Sequence, residues 1–108
     1  MTLTVENQQK AIAALKAAIE NGTPLATTKV FGPNGAMCSC AVVAQGLGLN
    51  LKKQPDDGKV YDFLEDRGFD TLSIFNANDD RHNRFGQGYD EYGGFAAAMK
   101  VIEEMKTS

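Results

Sequence analysis

The sequence is poor in the residue types that most often carry chemistry or cross-links. It has no tryptophan, one histidine (His82) and two cysteines (Cys38 and Cys40) in 108 residues. An internal bridge between the cysteines is disfavoured, because the Cys-x-Cys spacing closes a small, strained ring. The first residues lack the basic start and apolar run of a signal peptide, which predicts a cytoplasmic protein. We therefore expect two free, reduced thiols.

Long apolar runs and basic clusters are also missing. No run approaches the roughly 20 residues that a membrane helix needs. The net charge is −3, and Lys52-Lys53 is the only adjacent basic pair. Sequence-independent binding to nucleic acid needs a clustered basic face. The sequence therefore argues against nucleic acid and membrane partners, and its 43% apolar and 23% charged residues are typical of one globular domain, residues 1–108.

The spacing of apolar residues predicts a mainly α domain of three to four helices, with a short extended or β segment and an Asn/Asp-rich loop. Thr4 is a predicted N-cap, and Asp56 or Asp57 is another. The run "FDTLSIF" has the composition of a short buried strand or an extended run. Predicted helices span residues 4–21, residues 37–49 (or an end near Gly46), a short segment ending at Gly68, and residues 91–106 after an Asp90 cap. The predicted core comprises Ile12, Leu15, Ile19, Val43, Leu47, Phe63, Leu64, Phe95, Met99 and Ile102.

The two cysteines allow a catalytic and a packing interpretation. A thiol in the first turn of a helix is favoured as a thiolate, so Cys40 or Cys38 with His82 and Asp79 could perform acyl transfer. The alternative is packing, because cysteine is a frequently buried residue type. A helical or extended backbone would point the two thiols to different sides. On balance the pattern favours packing and no catalytic residues.

Metal and phosphate sites are poorly supported by the spacing. Zinc sites usually show paired Cys or His at short separations, and Cys38, Cys40 and His82 do not. The run from Asn76 imitates the start of a calcium loop, but Arg81 and Gln87 stand where glycine and an acidic residue are needed. The glycines after Arg84 do not complete a phosphate-binding motif. The sequence therefore predicts no metal and no cofactor.

The polar stretch after "LSIF" has two interpretations. Asn and Asp side chains stabilise tight turns by bonding to nearby backbone, so Asn78 and Asp79 could organise the junction before the last helix. An exposed loop of this composition is also suited to protein contacts. The candidate binding residues are Asp79, Asp80, Arg81, His82, Arg84, Tyr89 and Tyr92.

The order of these features resembles a family of small domains from actinobacteria and their phages, domain of unknown function 6197. The shared pattern is an amphipathic helix, a cysteine opening a small-residue helix (Cys40 to Ala44), and an aromatic-Asn-Asp signature before the last helix. Here the signature "IFNAND" is interrupted by Ala77. The resemblance implies a helical fold and a bacterial or phage source, and it assigns no activity.

Three functions are compatible with these patterns. The first is a small non-enzymatic protein-interaction module, plausible in a phage-related context, because catalytic groups are sparse while aromatic and charged residues gather around the loop. The second is a cysteine-dependent hydrolase or transferase that uses Cys40 or Cys38 with His82. The third is an inhibitor of a host defence complex, which small size and an acidic balance permit.

Overall fold

The computed structural model describes residues 2–27, 29–52, 56–79 and 94–107, and this part of the chain is mainly α-helical. The prediction of a mainly α fold is confirmed. The described residues hold five helices rather than three to four. These are α1 (Val5–Glu20), α2 (Ser39–Gly46), α3 (Asp57–Glu65), α4 (Thr71–Asn78) and α5 (Gly94–Glu103), with a short 3-10 helix at Pro33–Gly35.

Helix α1 begins where the capping pattern predicts. The Thr4 hydroxyl accepts a hydrogen bond from the Asn7 N–H at 3.0 Å, and Gly22 follows the helix with a φ of +68°, as a left-handed stop requires. The buried stripe consists of Gln8, Ala11, Leu15 and Ala18. The prediction that Ile19 is a core residue is wrong, since its side chain is 46% exposed.

The close approach of α1 and α2 explains why Ile19 is displaced from the core. A Cβ placed on Gly46 would lie 2.5 Å from the Cβ of Ala14, so these small residues let the two helix backbones pack tightly. The buried face of α1 is therefore rotated toward its alanines, and the larger Ile19 lies at the edge. Gly46 also ends α2, which spans fewer residues than the predicted helix 37–49.

The segment predicted as a buried strand is helix α4. Asp70 is its N-cap, and the Asp70 carboxylate accepts hydrogen bonds from the Ser73 N–H at 3.2 Å and the Ser73 hydroxyl at 2.7 Å. The same bonds lower the pKa of the Asp70 carboxyl, the hydroxyl bond most. This cap starts a helix despite the β-favouring composition of "FDTLSIF". The short extended or β segment of the predicted fold corresponds, in the described residues, to two isolated β-bridges, Leu25–Met37 and Phe31–Met37.

The core is built around α2, in which every residue from Ser39 to Ala44 is buried. Helix α1 packs against α2 and α5, and α4 packs against α5 and α2. Of the predicted core, Leu15, Val43, Leu64, Phe95 and Ile102 are buried, and Ile12, Leu47, Phe63 and Met99 pack partly buried against them. Among the described residues, no helix is both long and apolar enough to cross a bilayer.

A side chain of α1 caps the C-terminal end of α5. The side-chain amide of Gln8 donates hydrogen bonds to the carbonyl of Ile102 at 2.8 Å and to that of Met105 at 3.1 Å. The last carbonyls of a helix have no partner within it. One buried polar side chain therefore joins the two ends of the described chain.

Candidate functional site

Asn78, the last residue of α4, joins three segments of the chain at the start of α2. Its side-chain oxygen accepts hydrogen bonds from the Ser39 N–H at 2.8 Å and the Ser39 hydroxyl at 2.7 Å. Its side-chain NH₂ donates to the Ala26 carbonyl at 2.9 Å and to the Asp79 carboxylate at 2.7 Å. Both donors and both acceptor positions of the amide are thus used, and Asn78 is completely buried.

This arrangement supplies the cap that α2 lacks in its own sequence. The N-cap position of α2 is occupied by Cys38, rather than by one of the Ser, Thr, Asp or Asn residues that usually cap a helix. Asn78 accepts the first free N–H of the helix in its place. The backbone bonds that the structure describes for Asn78 reach much further along the chain than the predicted local bonds, because Ser39 and Ala26 lie 39 and 52 positions away.

The two thiols lie next to this junction and contact each other. Cys38 is 1% exposed and Cys40 is fully buried, and both are free thiols. A side-chain hydrogen bond between Cys38 and Cys40 shifts the pKa of both thiols. The expectation that the thiols point to different sides is wrong. Cys38 has extended backbone (φ −80°, ψ 170°) outside the helix, so helical spacing does not separate it from Cys40.

The hydrogen bond between the thiols makes them chemically different. It lowers the pKa of Cys38, which the N–H groups of Ala41 and Cys40 lower further, while burial and the Asp79 carboxylate act in the opposite direction. The pKa of Cys40 is raised, first by this hydrogen bond and then by burial. Cys38, rather than Cys40, is therefore the thiol that the helix N-terminus favours as a thiolate.

Burial argues for the packing interpretation of both cysteines. A nucleophilic thiol must be accessible to substrate and close to a base, and neither sulfur has appreciable contact with solvent. The prediction that Cys40 is buried is confirmed. His82, the base that the catalytic alternative needs, lies outside the described residues.

Tyr61 of α3 is partly buried and packs against the core beside Phe75 of α4. Burial raises the pKa of its hydroxyl most, and the charged forms of Cys40, Cys38, Asp57 and Asp79 raise it further. The hydroxyl is therefore within electrostatic range of both the thiols and two carboxylates. The Tyr61 ring meets the Phe75 ring edge to face, with centroids 6.3 Å apart.

A shallow apolar groove runs between these two helices. Tyr61 and Glu65 of α3 line one side, and Thr71, Leu72 and Phe75 of α4 line the other; we call these five residues the α3–α4 groove. Leu72 is 68% exposed, more than the other large apolar side chains described as exposed, Val5 and Ile19. Single exposed apolar residues are common, but a contiguous group is typical of a binding surface.

The sequence prediction missed this groove because it assigned Leu72 and Phe75 to a buried strand. The signal that could have found it is the Asp70-x-x-Ser73 capping pattern, which starts a helix and places Leu72 and Phe75 three positions apart on one face. Tyr61, four residues before Glu65 on α3, was likewise not proposed as a contact residue.

Of the predicted binding residues, the structure describes Asp79 alone. It caps the C-terminal end of α4 and accepts the hydrogen bond from Asn78. Within the described ranges, no three His, Cys, Asp or Glu side chains are placed to hold a metal ion. The other predicted contacts and the Asp90 cap lie outside those ranges: Asp80, Arg81, His82, Arg84, Tyr89 and Tyr92.

No protein-family model, curated protein or solved structure matches the chain. The resemblance to domain of unknown function 6197 therefore stays a prediction.

Proposed function

We propose that this small helical domain is a non-enzymatic protein-interaction module that binds through the α3–α4 groove. The observation that carries the proposal is the 68% exposure of Leu72 beside the aromatic pair of Tyr61 and Phe75. Partly buried aromatic rings are enriched in protein interfaces because they offer large contact area at low entropic cost. The predicted contact residue Asp79 ends the same helix that carries Leu72 and Phe75.

A displayed library of 16-residue peptides, selected on the full chain, tests this proposal. We expect enriched peptides whose affinity falls at least tenfold in Leu72→Ser, because truncating a central apolar anchor removes a large share of binding energy. Val5→Ser is the matched control, since Val5 is also an exposed apolar residue (54%) but lies on α1. Its affinities should equal those of the native chain. Enrichment that is indifferent to Leu72→Ser would refute the groove as the binding surface.

The second candidate function, cysteine-dependent acyl transfer, is favoured by one observation. Cys38 lies at the N-terminal end of α2, where the helix dipole favours a thiolate, and the hydrogen bond with Cys40 lowers the pKa of its thiol in the same direction. This makes Cys38 rather than Cys40 the candidate nucleophile, with His82 as its predicted base.

Thiol labelling separates this candidate from packing. We expect iodoacetamide at neutral pH to modify the native chain at least 100-fold more slowly than the urea-unfolded chain, because both sulfurs are buried. Cys38→Ser and Cys40→Ser assign the reaction to one thiol. Native labelling of Cys38 at a rate within tenfold of the unfolded chain would instead support the acyl-transfer candidate.

A further inference from the structure

We propose that the α3–α4 groove binds a short amphipathic helix of a partner protein, with apolar side chains placed against Leu72 and Phe75 and lysine or arginine on its flanks. This inference rests on the proposed function, since it names the occupant of the same groove. It follows from three observations: the geometry of the groove walls, the placement of acidic residues along them, and the position of the nearest basic residues.

The walls of the groove suit a helix rather than a strand. An extended peptide adds to a sheet edge, and the extended contacts in the described residues are two isolated bridges, at Leu25–Met37 and Phe31–Met37. Both groove walls are helices, α3 with nine residues and α4 with eight. At 1.5 Å per residue each wall is about 12 Å long. That length accommodates about two turns of a partner helix, with apolar anchors three or four residues apart.

Acidic residues stand at both ends of the α3 wall. Asp57, Tyr61 and Glu65 follow at four-residue spacing and so share one face of the helix. The Asp57 and Glu65 positions are about 12 Å apart along the axis. The five lining residues include no lysine or arginine. A partner helix that carries basic residues about eight positions apart could approach both carboxylates at once.

Among the described residues, the two basic side chains closest in sequence to the groove residues of α3 do not neutralise this wall. The Arg67 guanidinium lies 3.6 Å from the centre of the Phe63 ring and donates to the Phe63 carbonyl at 2.8 Å, away from the lining residues. Lys59 is two positions from Tyr61 and so faces a different side of α3. Residues 56–73 contain six acidic and two basic residues. The charges of residues 56–73 therefore favour a basic partner over an acidic peptide or an anionic lipid surface.

The same peptide library, counter-selected on Leu72→Ser, provides the test. Enriched peptides should combine apolar residues at i and i+3 or i+4 with lysine or arginine on both flanks, and should gain helical circular dichroism on binding. Their affinity should fall about fivefold in the double variant Asp57→Asn/Glu65→Gln. Raising the salt concentration should weaken binding to the native chain more than to that variant.

The double variant Asp62→Asn/Asp66→Asn is the matched control. It removes the same charge from α3 and its C-cap, at positions outside the row formed by Asp57, Tyr61 and Glu65, and should leave the affinity within twofold. Leu72-dependent peptides with acidic or uncharged flanks, or peptides that bind without gaining helix, would overturn the basic-helix occupant and leave the proposed function standing. A library that yields no Leu72-dependent peptide would overturn the proposed function itself.

Discussion

Replacing Asn78 by Ala should destabilise the domain by about 3–5 kcal/mol, a large part of the stability of a chain this size. The substitution removes the hydrogen-bond partner of the Ser39 N–H, the Ser39 hydroxyl and the Ala26 carbonyl, which all bond to the Asn78 amide in the native chain. Each unsatisfied buried group costs about 1–3 kcal/mol, and the Ser39 hydroxyl can rotate to reduce its share. Urea unfolding followed by circular dichroism measures the change.

A nearby asparagine provides the control for this prediction. Asn76 is exposed on the same helix, and Asn76→Ala should change the free energy of unfolding by less than about 0.5 kcal/mol. A double-mutant cycle with Ser39→Ala should show coupling of about 1 kcal/mol or more, since the two side chains share a hydrogen bond. A loss below 1 kcal/mol for Asn78→Ala would show that this residue does not hold α2 and α4 together.

Replacing Leu15 by Ala should cost about 2–5 kcal/mol, because the substitution leaves a cavity where α1 packs against the rest of the core. Leu15 is fully buried, and α1 contacts both α2 and α5. The thermal midpoint and the urea midpoint should both fall, with the urea m-value unchanged.

Ile19 on the same helix tests the assignment of the buried face. Because Ile19 is 46% exposed, Ile19→Ala should cost less than about 1 kcal/mol. If Ile19→Ala lowered the free energy of unfolding as much as Leu15→Ala, then Ile19 would belong to the buried face of α1, as the spacing of apolar residues predicts.

Local signals in the sequence predicted the ends of α1 and the start of α3. The Thr4 and Asp56 caps and the positive φ of Gly22 and Gly68 are found in the structure, because each of these signals acts within one turn of chain. The face that α1 buries was predicted less well. The buried face of α1 depends on the close contact between Gly46 of α2 and Ala14 of α1. The spacing of apolar residues within α1 gives no information about the shape of α2.

For the candidate site, too, a local property was predicted and the long-range contacts were not. Burial of Cys40 followed from its apolar neighbours, and the structure confirms it. The partners of Asn78 lie 39 and 52 residues away, so local turn chemistry could not identify them. The groove was missed because a short segment with four apolar residues in seven fits a buried strand and a helix equally well. The Asp70–Ser73 cap decides between them.

The most direct test of the account is a nuclear magnetic resonance titration of the ¹⁵N-labelled chain with the most Leu72-dependent library peptide. The binding surface proposed here predicts saturable amide shifts centred on Tyr61, Glu65, Leu72 and Phe75. Amides of α1 around the control residue Val5 should stay unchanged. Shifts confined to α1 and α2, with α3 and α4 unperturbed, would contradict the assignment of the α3–α4 groove as the interaction surface.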